Sequence, residues 1–347
     1  MKLCLLDYLV CPLCRAPLML NPASNMDHSH AYVRSGELRC SSCTETYVVR
    51  DGIPRFPLAT STKAKDAVRR TRQAYDFSWT RFGAAEIKDE WEKDSYAYTH
   101  LIPERFFLGS GKIGLDAGCG GGADLVRFWR RGIRVIGFDL SSGVDTIART
   151  TKIPPHGSLV QGDLCLLPFQ ESSFDFIYSF GVLHHLPDPA SGLAALTRVL
   201  RPGSPIVTYL YETFDGRSML TCAILRCVRQ LRRVTGRMPL QLLHVLCWSL
   251  VPFVWMLFAV PARLLSMFGA RLVDQPPFSH TLRWPVLAAD LFDRFAPPVE
   301  HRFTESEVRE LHARCGLERV EVFRYRGWVS WGFKQVGPKG ENEHCPS

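Results

Sequence analysis

The sequence predicts an α/β protein built on a doubly wound, mostly parallel sheet, with a small metal-stapled unit ahead of it. Three observations lead there. Apolar runs near residues 113, 133, 158, 174 and 205 alternate with helical patterns, and such alternation specifies parallel strands with helices on both faces. The first run ends in a glycine-dense turn, Asp116-Ala117-Gly118-Cys119-Gly120-Gly121-Gly122. Two Cys-x-x-Cys pairs, Cys11/Cys14 and Cys40/Cys43, stand near the start.

In chain order the cysteine pairs come first. Knuckles of this kind bring four thiolates, those of Cys11, Cys14, Cys40 and Cys43, around one tetrahedral zinc. A polar loop, Asn21 to His30, lies between them, with strand-like pieces at Pro17–Leu20 and Tyr47–Val49. So small a unit has no adequate core of its own without a metal. His28 and His30 are donors by type, but loop histidines are more often solvated. The start is too short and is interrupted too early by Asp7 for an export signal. With twelve cysteines in the chain, that points to a reducing, cytoplasmic setting and to metal ligation rather than disulfides.

Residues 58–104 connect this unit to the main body. The part from Thr60 to Arg72 is polar and basic, whereas Gln73 to Phe82 is rich in aromatics. Tyr75, Phe77 and Trp79 either cap a ligand pocket or pack outside the sheet.

The core follows. Ile113 to Leu115 reads as a buried strand and Ala123 to Arg131 as a helix burying Leu125, Val126 and Trp129. A strand, a glycine turn and a helix N-terminus form a common nucleotide site. Asp139 ends the second apolar run, 23 residues after Asp116, where a carboxylate can accept ribose hydroxyls. The glycines Gly118, Gly120 and Gly122 are spaced G-x-G-x-G, which differs from the dinucleotide fingerprint G-x-G-x-x-G. Gly162-Asp163-Leu164 follows a third strand, and Phe174 to Phe180 forms a fourth that runs into Gly181-Val182-Leu183-His184-His185-Leu186. A fifth spans Ile206 to Tyr211, after the stop signal Arg201-Pro202-Gly203.

This ordered set resembles the class I S-adenosylmethionine-dependent methyltransferases, in particular the branch acting mostly on small molecules and lipids. The resemblance implies that the turn from Asp116 and Ala117 to Gly122 faces the methionine part of S-adenosylmethionine. It places Asp139 and Leu140 at ribose and adenine, and Gly162, Asp163 and Leu164 along the adenine edge, with Phe180 at the same crevice. It also implies a Rossmann-like, seven-stranded sheet closed by an antiparallel pair, here Leu317–Phe323 and Trp328–Lys334 after a helix from Glu305 to Cys315. Thr304-Glu305-Ser306-Glu307 carries a capping-box pattern. The stretch from Leu5 to Phe56 resembles the zinc-ribbon domain of small methyltransferase-activating subunits. A zinc with four thiolates keeps no open position for catalysis, so docking or stabilisation is its expected role.

His184 and His185 are the acid–base candidates. Methyl transfer needs mainly alignment, and a base helps when the acceptor is a hydroxyl or phenol. The resemblance also allows one ring to be buried structurally.

Between the fifth strand and the last helix lies an insertion of about ninety residues, 212–300. From Gly216 to Val273 it holds eight arginines and no Lys, Asp or Glu, equal to the formal net charge of +8 for the whole chain. Leu220, Ile224, Cys227, Leu231 and Val234 recur at helical spacing, with Arg226, Arg229 and Arg233 on another face. Gln241 to Ala262 is uncharged and long enough to cross a bilayer. One crossing conflicts with a sheet that must be completed by strands on both sides of the insertion. Peripheral contact of residues 216–273 with an anionic membrane, or a lipid-binding lid, is the expectation, and a purely structural helical lid over the active site or a dimer face is the alternative.

The expected organisation is therefore a zinc ribbon (1–57), linker and aromatic cap (58–104), cofactor-binding core (105–211), helical insertion (212–300), closing helix and strand pair (301–336) and tail (337–347). The expected activity is methyl transfer from S-adenosylmethionine to a hydrophobic small molecule, a lipid, quinone or natural-product intermediate, in the cytoplasm or at the inner face of the membrane. An RNA methyltransferase and a non-catalytic scaffold are the alternatives. Arginines interleaved with Leu and Trp disfavour a nucleic-acid partner, and intact cofactor motifs disfavour a scaffold.

Overall fold

A computed structural model describes residues 1–21, 24–27, 32–57, 65–82, 98–213, 226, 228, 230–267, 282–325 and 327–336. His28, His30, Leu220, Ile224, Cys227, Arg229 and the tail 337–347 lie outside the described residues.

The main sheet has seven strands: β6 (Ile113–Ala117), β7 (Arg134–Asp139), β8 (Ser158–Gln161), β9 (Phe176–Phe180), β10 (Pro205–Leu210), β11 (Leu317–Arg324) and β12 (Trp328–Lys334). Their order is β11-β12-β10-β9-β6-β7-β8. Strands β6 to β10 are mutually parallel, and β12 inserts antiparallel between β10 and β11. The expected doubly wound sheet with its antiparallel ending is therefore present. Every residue of β6 and of β10 is buried, the signature of strands covered on both faces. The chain winds outward from β6 in one direction and returns to β9 in the other, so a crevice opens at the carboxyl ends of β6 and β9.

The fourth strand begins at Phe176, two residues later than its apolar run suggests. Phe174 instead bridges Leu200 and packs edge-on to Phe169, with ring centroids 5.1 Å apart. The helix after the glycine turn, Ala123–Arg130, buries Phe128 with Leu125 and Trp129, whereas Val126 is only partly covered. The capping box before Glu305–Arg314 is complete: Glu307 N–H donates to Thr304 Oγ1 at 3.2 Å, and Thr304 N–H donates to Glu307 Oε2 at 2.7 Å.

The N-terminal unit contains β1 (Leu18–Leu20), β2 (Asn25–Asp27), β3 (Tyr32–Cys40), β4 (Thr46–Arg50) and β5 (Ile53–Pro54). Strand β3 was hidden in the sequence because its residues are mostly polar; just Val33, Leu38 and Cys40 are buried along it. The segment after β5 runs parallel to β8, and Phe56 N–H donates to Gln161 O at 2.8 Å. The unit thereby covers an edge that would otherwise present unpaired backbone groups. Arg55 clamps the junction, reaching Asp145 Oδ1 at 2.5 Å and Gln161 Oε1 at 2.6 Å.

The insertion starts and ends side by side. Thr213 N–H and Phe303 O are 2.9 Å apart, as are Phe303 N–H and Tyr211 O, so the excursion leaves the sheet register undisturbed. Its described helices include Leu240–Val254, continued by a π turn at Trp255–Ala259 and then Val260–Met267, and Trp284–Phe295. Together with the helix Lys65–Arg81 they enclose a separate apolar core around Leu243, Cys247, Phe292 and Ala74.

Candidate cofactor crevice and metal centre

The glycine turn shapes the floor of the crevice. Gly118 has φ of 95°, and a Cβ there would lie 2.1 Å from Val182 Cγ2. Gly120 has φ of 48°, and a Cβ there would meet the Trp79 ring at 2.6 Å. Both positions therefore require glycine, for backbone conformation and for room. Asp139, at the end of β7, reaches back to this turn: Gly120 N–H donates to its Oδ2 at 2.8 Å, while Ser141 N–H and Oγ–H donate to Oδ1 at 2.8 and 2.6 Å. These donors hold the carboxylate in place, and burial raises its pKa against them.

A cavity of about 170 Å³ lies above this floor. Gly118, Gly120, Asp139, Leu140, Gly162, Asp163, Leu164, Phe180 and His185 all line it. Asp163 also caps the short helical turn after it, accepting from Cys165 N–H at 2.9 Å. Asp116, Ala117, Gly122 and His184 do not reach the wall. Asp116 and Ala117 are buried in β6, where desolvation drives the Asp116 carboxyl well above its usual range. Gly122 sits at the start of the following helix with φ of 86°.

The roof comes from helix Lys65–Arg81, whose Val68, Thr71, Tyr75 and Trp79 line the cavity. Of the three cap candidates, Tyr75 and Trp79 face the crevice, while Phe77 stacks on Phe292 at 5.2 Å in the insertion core. The one segment serves both purposes, because a helix presents different residues to opposite sides. Asp76 anchors the roof by accepting from Ser142 N–H at 2.5 Å. Val68 and Thr71 were missed in the sequence because they lie in its polar, basic stretch.

The two histidines are not equivalent. His184 is fully buried, stacked on Tyr211 at 3.8 Å, and burial drives its pKa well below the ordinary value. His185 lines the cavity, with Nδ1 2.8 Å from Val299 O. Burial lowers its pKa to about 4. Nearby, Arg232 and Arg302 flank Glu300, and Arg302 lies over the Tyr211 ring at 5.3 Å. Arg232 belongs to the basic insertion, but nothing in the sequence tied it to Glu300.

In the N-terminal unit the sulfurs of Cys11, Cys14, Cys40 and Cys43 lie within 4.8 Å of one another, with Cys14–Cys40 at 3.3 Å and Cys11–Cys43 at 3.7 Å. Tetrahedral zinc with bonds near 2.3 Å implies sulfur separations of about 3.8 Å, so this donor set fits zinc. The Tyr47 hydroxyl stands 3.0 Å from Cys11 Sγ, and the Ser42 and Cys43 N–H groups donate to Cys40 Sγ at 3.4 Å. Such donors are typical partners of metal-bound thiolates.

The family model described as a methyltransferase domain matches residues 115–208, and the Trm112p-like protein model matches residues 2–52. A ubiquinone biosynthesis O-methyltransferase of Hahella chejuensis is 36% identical over 109 residues, covering 30% of this chain and 45% of that protein. A malonyl-[acyl-carrier protein] O-methyltransferase of Serratia marcescens is 33% identical over 163 residues, covering 46% and 58%. The crystal structure of Burkholderia thailandensis 1,6-didemethyltoxoflavin-N1-methyltransferase, with its substrate and S-adenosylhomocysteine bound, is 19% identical, covers 84% of this chain and 96% of that one, and has a TM-score of 0.46. The alignments span 33%, 45% and 39% of the first three curated relatives, less than two thirds of each. The chain carries a methyltransferase domain, residues 115–208, joined to a Trm112p-like domain, residues 2–52.

Proposed function

We propose that this protein transfers a methyl group from S-adenosylmethionine to a hydrophobic small-molecule acceptor of lipid, quinone or natural-product type, with a structural zinc in its N-terminal unit. The observation that carries the reading is the convergence of Asp139, Asp163 and the Gly118–Gly120 turn on one cavity at the carboxyl ends of the parallel strands. Curated relatives named for ubiquinone biosynthesis and for phthiotriol dimycocerosates support the acceptor class.

When bound, the cofactor supplies an electrophilic methyl group. Asp139 would hold its ribose hydroxyls, Asp163 and Leu164 would hold the base, and Tyr75 and Trp79 would lie over it and exclude water. A hydroxyl acceptor must lose a proton. The Val299 carbonyl can only accept, so His185 Nδ1 carries the ring proton and Nε2 is left unprotonated. Being neutral down to about pH 4, His185 is assigned the role of base, while the sealed His184 supports Tyr211. The zinc, with four thiolates, holds the ribbon together and takes no part in the chemistry.

Calorimetric titration of S-adenosylhomocysteine into the zinc-loaded protein tests the reading. Micromolar-range affinity, lost at least tenfold in Asp139→Ala, is expected. No binding by the folded wild type would overturn it.

A further inference from the structure

The helical run from Leu240 through the π turn to Met267 has two unlike faces. On one, Leu243, Cys247, Val251 and Ala259 are fully buried against the rest of the insertion core. On the other, Leu242, Val245, Phe253, Met256 and Leu257 each leave more than half their surface open. The most apolar 18-residue window of the helix from Leu240 to Ala259 has a mean hydropathy of 2.0, and 28% of that window is buried, far from the pattern of a core helix. Leu231 and Val234, from the expected amphipathic segment before it, are likewise open at 54% and 65%. Exposed apolar side chains gathered on one face of a helix mark a docking site.

We propose that this face lies on an anionic lipid bilayer, parallel to its plane, and that the acceptor reaches the cavity from that bilayer. Charge selects the occupant. Between Gly216 and Val273 there is no acidic residue, and Arg233, Arg237 and Arg263 are exposed around the apolar stretch. An anionic surface complements that arrangement, whereas a two-fold contact with a second copy would oppose arginine-rich surfaces. The helix cannot cross the bilayer, because its buried stripe is held by Ala74, Phe77 and Phe292. The strands before and after the insertion also pair directly, β10 with β12.

The position of the face gives it a purpose. The roof helix Lys65–Arg81 packs Ala74 and Phe77 into the insertion core, joined by Phe82 just beyond its end, and turns Val68, Tyr75 and Trp79 to the cavity. One helix therefore separates the docked layer from the cofactor crevice. The inference rests on the apolar-acceptor reading for its purpose, but its test does not depend on activity.

The test is flotation of the full chain with vesicles of phosphatidylcholine alone and of phosphatidylcholine mixed with phosphatidylglycerol. Binding to the mixed vesicles is expected, reduced at least about tenfold by Phe253→Glu with Leu257→Glu. Replacing Arg233, Arg237 and Arg263 together by Gln is expected to weaken it roughly a hundredfold. S-adenosylhomocysteine affinity should stay unchanged in both variants, showing intact folding and separating this proposal from that of the cofactor site. Failure of the wild type to float, or equal flotation of Phe253→Glu/Leu257→Glu, would overturn the proposal. So would a wild-type dimer in solution that this variant converts to monomer, because the face would then be an interface between copies.

Discussion

His185 Nδ1 lies 2.8 Å from the carbonyl oxygen of Val299, so the insertion's end fixes the tautomer of a cavity residue. With its pKa lowered to about 4 by burial, the ring stays neutral through the physiological range. The rate of methyl transfer to a hydroxyl acceptor is expected to hold level from pH 8 down to about 5 and to fall only as pH approaches 4. His185→Gln should lower kcat by about a hundredfold or more while S-adenosylhomocysteine affinity changes little. An acid limb centred near the ordinary histidine value would contradict the burial.

Gly120→Ala places a methyl group against the Trp79 ring, 2.6 Å from its nearest carbon. Cofactor-product affinity should drop by about tenfold or more, and thermal stability should fall by about 1–2 kcal/mol from the strained φ. Combining it with Trp79→Ala should recover part of the stability, because the clash is removed while the strain remains.

Zinc content is the next check. The purified protein should carry about one ion per chain, and Cys14→Ser should lose most of it. Because the ribbon covers β8 through the Phe56–Gln161 hydrogen bond, removing the metal should lower the melting temperature of the whole chain. Two separate transitions, with the upper one unmoved, would show that the ribbon is energetically independent.

His312 offers a pH test remote from the cavity. It is fully buried, Nδ1 2.9 Å from Val308 O and Nε2 3.2 Å from Ser330 Oγ, and burial lowers its pKa to about 4. A depressed folded pKa means that the unfolded chain binds the proton first as pH falls below about 6.5. Wild-type stability conferred by this residue is complete above that value and declines toward pH 4. The stability gap between wild type and His312→Phe should narrow by about 2 kcal/mol between pH 7.5 and 5. An unchanging gap in chemical unfolding would show that the imidazole is not desolvated.

Much of the site was legible before any coordinates. The glycine turn, Asp139 and Asp163 follow strand ends, where chain direction forces them to one edge of a parallel sheet, and the cysteine pairs stand at metal-knuckle spacing in the separate N-terminal unit. Tyr75 and Trp79 were ambiguous because an aromatic helix with no known neighbours has no inside. His184 and His185 were indistinguishable, since adjacent residues differ in burial only once the Tyr211 ring and Val299 are in place. Strand β3 escaped notice for a related reason: its polar residues are ordered by pairing with β1 and β4.

The residues alone pointed to the class of fold and to a four-thiolate metal site, because local periodicity and ligand spacing are properties of consecutive chain, and the resemblance of the glycine turn, Asp139 and Asp163 to a methyltransferase added the expected cofactor positions. Tertiary structure decided which roof residues meet the cavity, which histidine lines it, and which stripe of the insertion helix stays open. Each of these depends on what a second, distant segment covers, and burial by a distant segment is not written in the neighbours of a residue.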